Sequence, residues 1–401
     1  MAIRKIEMEC PSIPPVESKW HHLSCELVTP LYGGGVESST IDDKMPIRAA
    51  GIKGQLRIWW RMLAKNLWKL GSDKEIQKAE FQLWGGMGDD AHASEVFIKV
   101  SAPSVNHREL TSYKDYTGKY RELSYVFFPA DNETDTSISH DLLGEGYQWQ
   151  LSVKFSDALA QDDIRRKQVL ETIRWWSQFG GIGARSRRGT GAFIIKESET
   201  LPELLVTVTE DEVALANCTL AIGGGQGDAL TAWKNAIGKL QSFRQAPGLG
   251  RNSGQQANRP GRSRWPEPDA IRRIQKTHAP QHAPEHKAGN IFPRGLFGMP
   301  IIFHFVGRGE PGDTTLQPKG DERMASRLFI RPIYNRDNGR YSPAVLLFPY
   351  EDLFTTEVEL KGSREGSVKL WDKGAADLIT PVKDYGGDNP LAAFMNYFQK
   401  G

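Results

Sequence analysis

The segment best suited to chemistry is Phe179-Gly-Gly-Ile-Gly-Ala-Arg-Ser-Arg-Arg-Gly-Thr-Gly-Ala192. Its five glycines allow the backbone to approach a ligand closely. The guanidinium groups of Arg185, Arg187 and Arg188 match the geometry of phosphate oxygens. The segment follows a predicted helix and lacks Gly-Lys-Ser/Thr, so it is not a Rossmann or Walker motif. It predicts a phosphate-binding loop, and the alternative is a flexible helix-to-strand connection with incidental arginines.

A second basic feature is a stripe along the helix predicted over residues 52–70, where a cation stands at every fourth position: Lys53, Arg57, Arg61, Lys65 and Lys69. Neighbouring members share a face, because a step of four residues turns a helix by only about 40°. Like charges at this spacing repel, and a bound anion would offset that cost. The preceding segment, Pro46–Gly54, places glycines and Lys53 beside a helix N-terminus, where free amides attract phosphate. A solvated helix face is the alternative.

A third basic segment spans residues 245–295 and is rich in Pro, Gly and Arg. It contains Arg262, Arg264 and Arg294, and Trp265 is a candidate for stacking on a base. The formal net charge is only +2, but residues 44–72, 165–188 and 244–294 together carry 24 basic and four acidic residues. The rest of the chain is therefore at −18. Segregated positive charge predicts phosphate-backbone binding.

Other motifs give weaker signals. Asp42 and Asp43 precede the basic helix and are candidates for assisting RNA cleavage, although a turn-forming pair is the alternative. The glycine-rich turn 222–228 lacks the lysine of a phosphate-binding P-loop. Three histidines spaced four apart, His278, His282 and His286, are also considered as a metal site. The prolines between them exclude a regular helix that would place all three on one face. We expect no metal and no cofactor.

The elements that would position these residues follow the order β-α-β-β-α-β in the first half of the chain. Hydrophobic periodicity predicts strands at 22–29, 95–100, 147–155 and 190–196, and helices at 52–70 and 162–179. This order is the ferredoxin-like arrangement, shared with RNA-recognition (RRM-like) domains. Residues 101–146 interrupt it as a long insertion, either a functional loop or a solvated decoration.

A second module is predicted from about residue 203. One helix is expected at 229–243 and another at 268–276, and strands are expected at 204–208, 219–222, 300–306, 327–334 and 344–348. The predicted fold class is therefore α+β, with antiparallel sheets in two ferredoxin-like modules, 1–200 and a divergent 201–401. The composition, with 39% hydrophobic residues and no apolar run of 18, excludes a membrane span. The N-terminus lacks a secretory signal, which predicts an intracellular protein.

The motifs resemble a known family. Thr29–Gly35, Ile47–Arg57 and the loop 180–191 resemble the RAMP superfamily of CRISPR proteins. Three further segments resemble the first subunit of the type III-B Cmr effector complex; they are Pro260–Asp269, Phe292–Phe303 and Arg323–Pro332. The resemblance extends from about residue 20 to 350.

The resemblance implies a non-catalytic subunit at the head of a cytoplasmic ribonucleoprotein of antiviral defence. It would lie near the 3′ part of the CRISPR RNA and help to capture complementary single-stranded target RNA, with other Cmr subunits as partners. The predicted RNA contacts combine the matched motifs with the basic segments: Arg48, Lys53, Arg57, Arg61, Gly181, Gly183, Arg185, Arg187, Arg188, Arg262, Arg264, Trp265 and Arg294. The alternatives are an endoribonuclease using loop carboxylates or histidines, and a purely structural capping subunit.

Overall fold

The structure is a computed structural model that describes residues 19–35, 40–88, 91–131, 140–225, 227–254, 261–363 and 368–400. The predicted basic insertion is therefore described except for residues 255–260. In these ranges no helix is long and apolar enough to cross a membrane.

The strands in the described ranges are β1 (His21–Leu27), β2 (Leu31–Tyr32), β3 (Val96–Ser101), β4 (Leu110–Ser112), β5 (Asp141–Leu143), β6 (Gln148–Phe155), β7 (Phe193–Ser198), β8 (Thr219–Ile222), β9 (Ile301–Phe303), β10 (Thr314–Pro318), β11 (Leu328–Asn335), β12 (Arg340–Leu347) and β13 (Val358–Lys361). The α-helices are α1 (Ala49–Asn66), α2 (Asp73–Trp84), α3 (Tyr113–Lys119), α4 (Ser124–Asp131), α5 (Asp157–Gln161), α6 (Asp163–Phe179), α7 (Glu210–Leu215), α8 (Ala229–Gln245), α9 (Glu267–Gln275), α10 (Thr380–Tyr385) and α11 (Pro390–Lys400).

The first sheet has the strand order β3-β6-β1-β7, with every pairing antiparallel. This is the ferredoxin-like order, and it confirms the predicted α+β class with antiparallel sheets. Strand β1 buries Leu23, Cys25 and Leu27 on one face, as its alternating pattern predicts. The aliphatic and aromatic side chains on this face pack against α1 and α6.

Helix α6 begins where the sequence predicts. The Asp162 side chain accepts a hydrogen bond from the backbone N–H of Arg165, which satisfies one free donor of the first turn. Helix α1 ends earlier than the periodicity indicates. Lys69 adopts a left-handed backbone with φ 52°, and the N–H of Leu70 returns to the Ala64 carbonyl. The last member of the predicted cationic stripe therefore lies beyond the helix.

The second sheet has the antiparallel order β11-β12-β8. Its strands take the places of strands two, three and one of a ferredoxin-like sheet, and α8 and α11 cover one face. The other face packs on the first module, where Trp59 of α1 contacts Phe329 and Phe348. The result is a layered order of sheet, helices, sheet and helices, in which the middle helices serve both sheets.

The insertion at 101–146 is folded in its described parts. Strands β4 and β5 form a small antiparallel sheet with β2, and α3 and α4 follow β4. Phe127 of α4 packs edge-on against Trp233 of α8 and against Tyr32. The insertion thus buries an apolar face against the second module, which is more than a solvated decoration would do. A further sheet, β13-β10-β9, lies in the second half.

One strand prediction is wrong. Residues 204–208 include the end of a 3-10 turn, Pro202–Leu205, in place of a strand. The Gln178 side chain bonds both the N–H (2.7 Å) and the carbonyl (3.1 Å) of Val208, so a side chain takes the bonds that a strand partner would make. Helices α2 and α7 were not predicted. Each begins with a capping box, Ser72 with Glu75 and Thr209 with Glu212, which was the available signal.

Candidate nucleic-acid interface

The glycine-rich loop lies against the β1–α1 connection. The N–H of Ala184 donates to the Tyr32 carbonyl (2.7 Å), and the N–H of Gly191 donates to the Pro30 carbonyl (2.8 Å). Gly183 has φ +74°, and a side chain there would collide with the backbone of Tyr32. Gly181 is equally constrained, because a Cβ would lie 2.9 Å from the Thr190 carbonyl. These predicted glycines serve close packing of the loop on the chain itself.

Arg185 is the loop side chain best placed for a ligand. It holds a left-handed backbone with φ 61°, which is uncommon for a residue other than glycine. Its guanidinium carbon lies 5.0 Å from the centre of the Phe128 ring. Among the described residues no carboxylate forms a salt bridge with it, and burial lowers its pKa. The nearby Arg323 also lowers that pKa, whereas Tyr32 and Tyr125 raise it.

Arg187 and Arg188 point into the protein, which corrects the prediction that they contact phosphate. Arg187 donates to the Ser326 carbonyl, and Arg188 donates to the carbonyls of Phe297 (2.8 Å) and Leu328 (3.3 Å). Burial lowers the pKa of each to about 10, so both remain charged at neutral pH. They fasten the loop to the second half of the chain. Local sequence cannot reveal this, because their acceptors lie more than 100 residues away.

The first turns of α1 are open, as the sequence predicts. Cβ atoms added at Gly51 and Gly54 would meet nothing within 4 Å. Lys53 is half-buried, forms no salt bridge within the described part of the chain, and has its pKa lowered by burial and then by Arg57. Arg48 makes only a long contact with Asp42, at 3.4 Å. Gly34 and Pro46 both lie in the β1–α1 connection, against which the glycine-rich loop packs. A Cβ on Gly34 would lie 3.4 Å from the Pro46 carbonyl, so the residues just before α1 lie close to the part of the connection that contacts the loop.

The next two members of the stripe are already paired. Glu80 of α2 is only 2% exposed, and its carboxylate accepts from Arg57 Nε and from Arg61 Nη1 (2.9 Å). Lys65 pairs with Asp73 at 2.8 Å. Because α2 was not predicted, these carboxylates were not recognised as partners. Of the stripe on α1, Lys53 is the cation left for an anion among the described residues.

The third basic segment is an internal charge network. Arg262 pairs with Asp269 (2.9 Å), and Arg294 pairs with Glu267 (3.1 Å), a carboxylate that is fully buried. Arg264 donates to Asn252 Oδ1 (2.9 Å). Buried carboxylates need such partners, since an unpaired charge in the interior is costly. Arg262 and Arg294 are therefore committed to folding the segment, whereas the bonds of Arg264 are exposed and involve no carboxylate, so its RNA contact stays a prediction.

Trp265 is also placed differently from the prediction. It is 1% exposed, its indole N–H donates to the Arg244 carbonyl (3.1 Å), and its ring packs edge-on against Phe243. A buried ring offers no face to a base. Its proposed stacking role is wrong, and Trp265 belongs to the core of the second half.

The weaker candidates resolve as local structure. The Asp42 carboxylate accepts from the backbone N–H groups of Lys44 and Met45, each at 3.0 Å, and the Met45 bond is the main cause of its lowered pKa. His282 Nδ1 contacts Glu310, and His286 Nε2 contacts the Arg264 carbonyl (3.2 Å). No group of three metal-binding side chains occurs in the ranges that the structure describes.

These elements also carry the match to a family. Residues 24–194, from β1 through the glycine-rich loop to β7, match the sequence model described as RAMPs, the RAMP superfamily. These residues form a RAMP-superfamily domain. The RAMP domain contains the loop, Arg185 and the open start of α1.

Solved structures of similar overall shape include the apo crystal structure of Cmr1 from Pyrococcus furiosus. That chain is 17% identical, with a TM-score of 0.49 over 83% of this chain and 88% of that one. Two cryo-EM structures of the type III-B Cmr-beta bound to cognate target RNA contain chains that are each 10% identical. Their TM-scores are 0.43 and 0.46, over 87% and 92% of this chain and 96% and 99% of theirs; the first of them also holds AMPPnP and was determined in the presence of single-stranded DNA. No curated protein matches the chain.

Two further residues beside Arg185 were missed. Arg323 is exposed and precedes β11, and Tyr125 of α4 accepts from Arg244 through its hydroxyl group. Tyr125 raises the pKa of Arg185, and Arg323 lowers it. Arg323 opens one of the segments that resemble the Cmr subunit, so its motif was visible although no role was assigned. We call Arg185, Arg323 and the α1 start with Arg48 and Lys53 the loop-helix surface.

Proposed function

We propose that this chain is a non-catalytic RNA-binding subunit of a type III-B CRISPR ribonucleoprotein, and that the loop-helix surface holds phosphates of the CRISPR RNA. In this proposal the subunit lies at the head of the assembly, near the 3′ part of the guide, and helps to capture complementary target RNA. Base pairing between guide and target would read the sequence, while the protein contacts the backbone.

The observation that carries the proposal is Arg185. The glycine-rich loop fixes its position, yet no described carboxylate neutralises it, and the neighbouring Arg323 adds further positive charge. A phosphodiester backbone is a natural counter-ion for such a cluster. The RAMP-superfamily match and the resemblance of the central motifs to the Cmr subunit are the reasons for proposing CRISPR RNA and Cmr subunits as the partners.

The proposal takes the chain to be non-catalytic because its loop carboxylate already has a structural task. Asp42 closes the turn before α1 through two backbone bonds, and its pKa is lowered. A general base with a low pKa is a weak proton acceptor at neutral pH. Incubating the purified protein with labelled RNA, with magnesium or with a chelator, tests this directly; cleavage that Asp42→Asn abolishes would favour the endoribonuclease.

The RNA-binding role is tested by a salt titration of the full chain on labelled single-stranded RNA. Lys53→Ala and Arg185→Ala should each weaken binding without sequence bias and reduce the slope of log K against log salt by about one. Lys319→Ala is the matched control, because this exposed lysine lies beside the β13-β10-β9 sheet and already pairs with Glu357. Slopes that stay at the unmodified value in both test variants would contradict the assignment.

Purification from the native cell tests the assembly. RNA of a defined length should accompany the chain together with neighbouring subunits. An assembly that survives nuclease treatment intact, with the chain free of RNA, would favour the structural capping role.

A further inference from the structure

The folded insertion presents one aromatic side chain that its own packing does not explain. Phe128 of α4 is 52% exposed, whereas Phe127 beside it is buried. An exposed phenylalanine alone has little meaning. Phe128 also has a cation from the glycine-rich loop beside it, since the Arg185 guanidinium carbon lies 5.0 Å from its ring centre. We propose that Phe128 is a base-stacking residue, so that a single-stranded RNA whose phosphate meets Arg185 places a base on this ring.

The position of Phe128 is fixed by the core beneath it. Phe127 packs edge-on against Trp233 (6.2 Å between ring centres) and Tyr32 (5.7 Å). Tyr32 also accepts the hydrogen bond from Ala184 of the glycine loop, through its carbonyl. The ring and the loop are therefore held by one common residue. A preorganised ring loses little entropy when a base stacks on it.

The charges around the ring favour RNA as the occupant over an apolar protein segment. Arg185 and Arg323 supply positive charge, and Arg244 donates a hydrogen bond to the hydroxyl group of Tyr125. Among the described residues, no carboxylate forms a salt bridge with Arg185, Arg244 or Arg323. A single strand brings a flat aromatic base and an anionic phosphate together, which matches a ring with an adjacent guanidinium.

The same pattern continues along the insertion. The Nζ atoms of Lys119 and Lys234 lie 5.0 and 5.2 Å from the centre of the Tyr120 ring. This ring is partly buried against the hydrophobic core of the second half of the chain. Aromatic rings paired with cations are typical of surfaces that bind single strands without reading sequence. The insertion therefore extends the loop-helix surface toward α8, and Phe128 is its most exposed ring.

The test measures binding of labelled, unstructured single-stranded RNA to the full chain. Phe128→Ala should weaken affinity by about tenfold with an unchanged salt slope, because stacking is not a charge contact. Phe128→Trp should retain or improve binding, and Arg185→Ala should reduce the slope. Leu215→Ala is the control, since Leu215 is 67% exposed at the end of α7 and has no aromatic ring. On RNA with abasic sites, Phe128→Ala and the unmodified chain should bind alike.

The inference rests on the proposed function, and the outcomes separate the two. If the unmodified chain binds no RNA, the proposed function fails and this inference falls with it. If the chain binds RNA and Phe128→Ala binds equally well, only the stacking role is overturned. A defect that persists on abasic RNA, or that Phe128→Trp does not repair, also overturns it, because the loss of affinity then does not come from base stacking.

Discussion

Replacing Arg331 should lower the free energy of unfolding more than replacing an exposed arginine, because the bonds of Arg331 join the two halves of the chain. Arg331 is 2% exposed on β11, and its guanidinium donates to three carbonyls of the first half: Ser177 (3.0 Å), Gly180 (2.6 Å) and Phe193 (2.9 Å). Methionine has a similar length and no donor, so Arg331→Met leaves three buried acceptors unsatisfied. At about 1 kcal/mol or more for each lost bond, the free energy of unfolding should fall by about 3 kcal/mol.

The corresponding shift in melting temperature follows from the unfolding entropy. With about 2.1 cal/mol/K per residue, cooperative unfolding of all 401 residues predicts a decrease of about 4 °C. Unfolding of half the chain as one unit predicts about twice that. Arg331→Lys should be no milder, because a single ammonium nitrogen cannot reach three carbonyls in separate segments.

Differential scanning calorimetry of the full chain measures this effect. Arg340→Met is the matched control, because Arg340 is exposed on the adjacent strand β12 and pairs across from Asn335. If Arg331→Met lowers the melting temperature no more than Arg340→Met, the three carbonyls do not depend on Arg331, and the account of how the halves are joined is wrong.

Two more changes test the packing and the helix caps. Gly189→Ala should destabilise the protein strongly, since φ is +84° and a Cβ would lie 2.6 Å from the Ile330 carbonyl. In α8, a Cβ at Gly238 would meet nothing within 4 Å, so Gly238→Ala should stabilise the protein by about 0.5–1 kcal/mol. If Gly189→Ala has the higher melting temperature of the two variants, this reasoning is wrong. The N–H of Thr231 lowers the pKa of the Asp228 cap below 3.8, so the cap stabilises α8 above that pH and is lost as pH falls further. Asp228→Ala should lower the free energy of unfolding by about 1 kcal/mol at pH 7 and by less at pH 3, whereas Asp228→Asn should lower it little at pH 7. An equal decrease for Asp228→Ala at both pH values would argue against the carboxylate cap.

The periodicity of the first half was sufficient to predict its fold. Strand β1 alternates cleanly and α6 has an acidic cap, so local rules and tertiary packing agree there. Helix α2 was missed although its capping box and its apolar residues Ile76, Leu83 and Trp84 are typical of an amphipathic helix. Residues 204–208 failed because a distant side chain, Gln178, satisfies Val208, and strand propensity contains no information about such a partner.

The site was harder to predict than the fold. Sequence identifies a cation but not its counter-ion, and most of the segregated positive charge finds carboxylates in space. Glu80 neutralises Arg57 and Arg61, and Asp269 neutralises Arg262. Arg185 keeps the predicted character because no carboxylate in the described ranges forms a salt bridge with it. Composition along the chain therefore overstates the basic surface, and only tertiary contacts show which cations are free for a ligand.

The middle helices of the layered fold also set a mechanical property. Helices α1 and α6 pack on both sheets, so a movement of one half away from the other would expose the apolar side chains between them. A partner that binds α8 or α11 therefore meets a surface at a fixed distance from the glycine-rich loop. In the ribonucleoprotein that we propose, such a chain would hold the loop-helix surface at a constant distance from a subunit bound to α8 or α11.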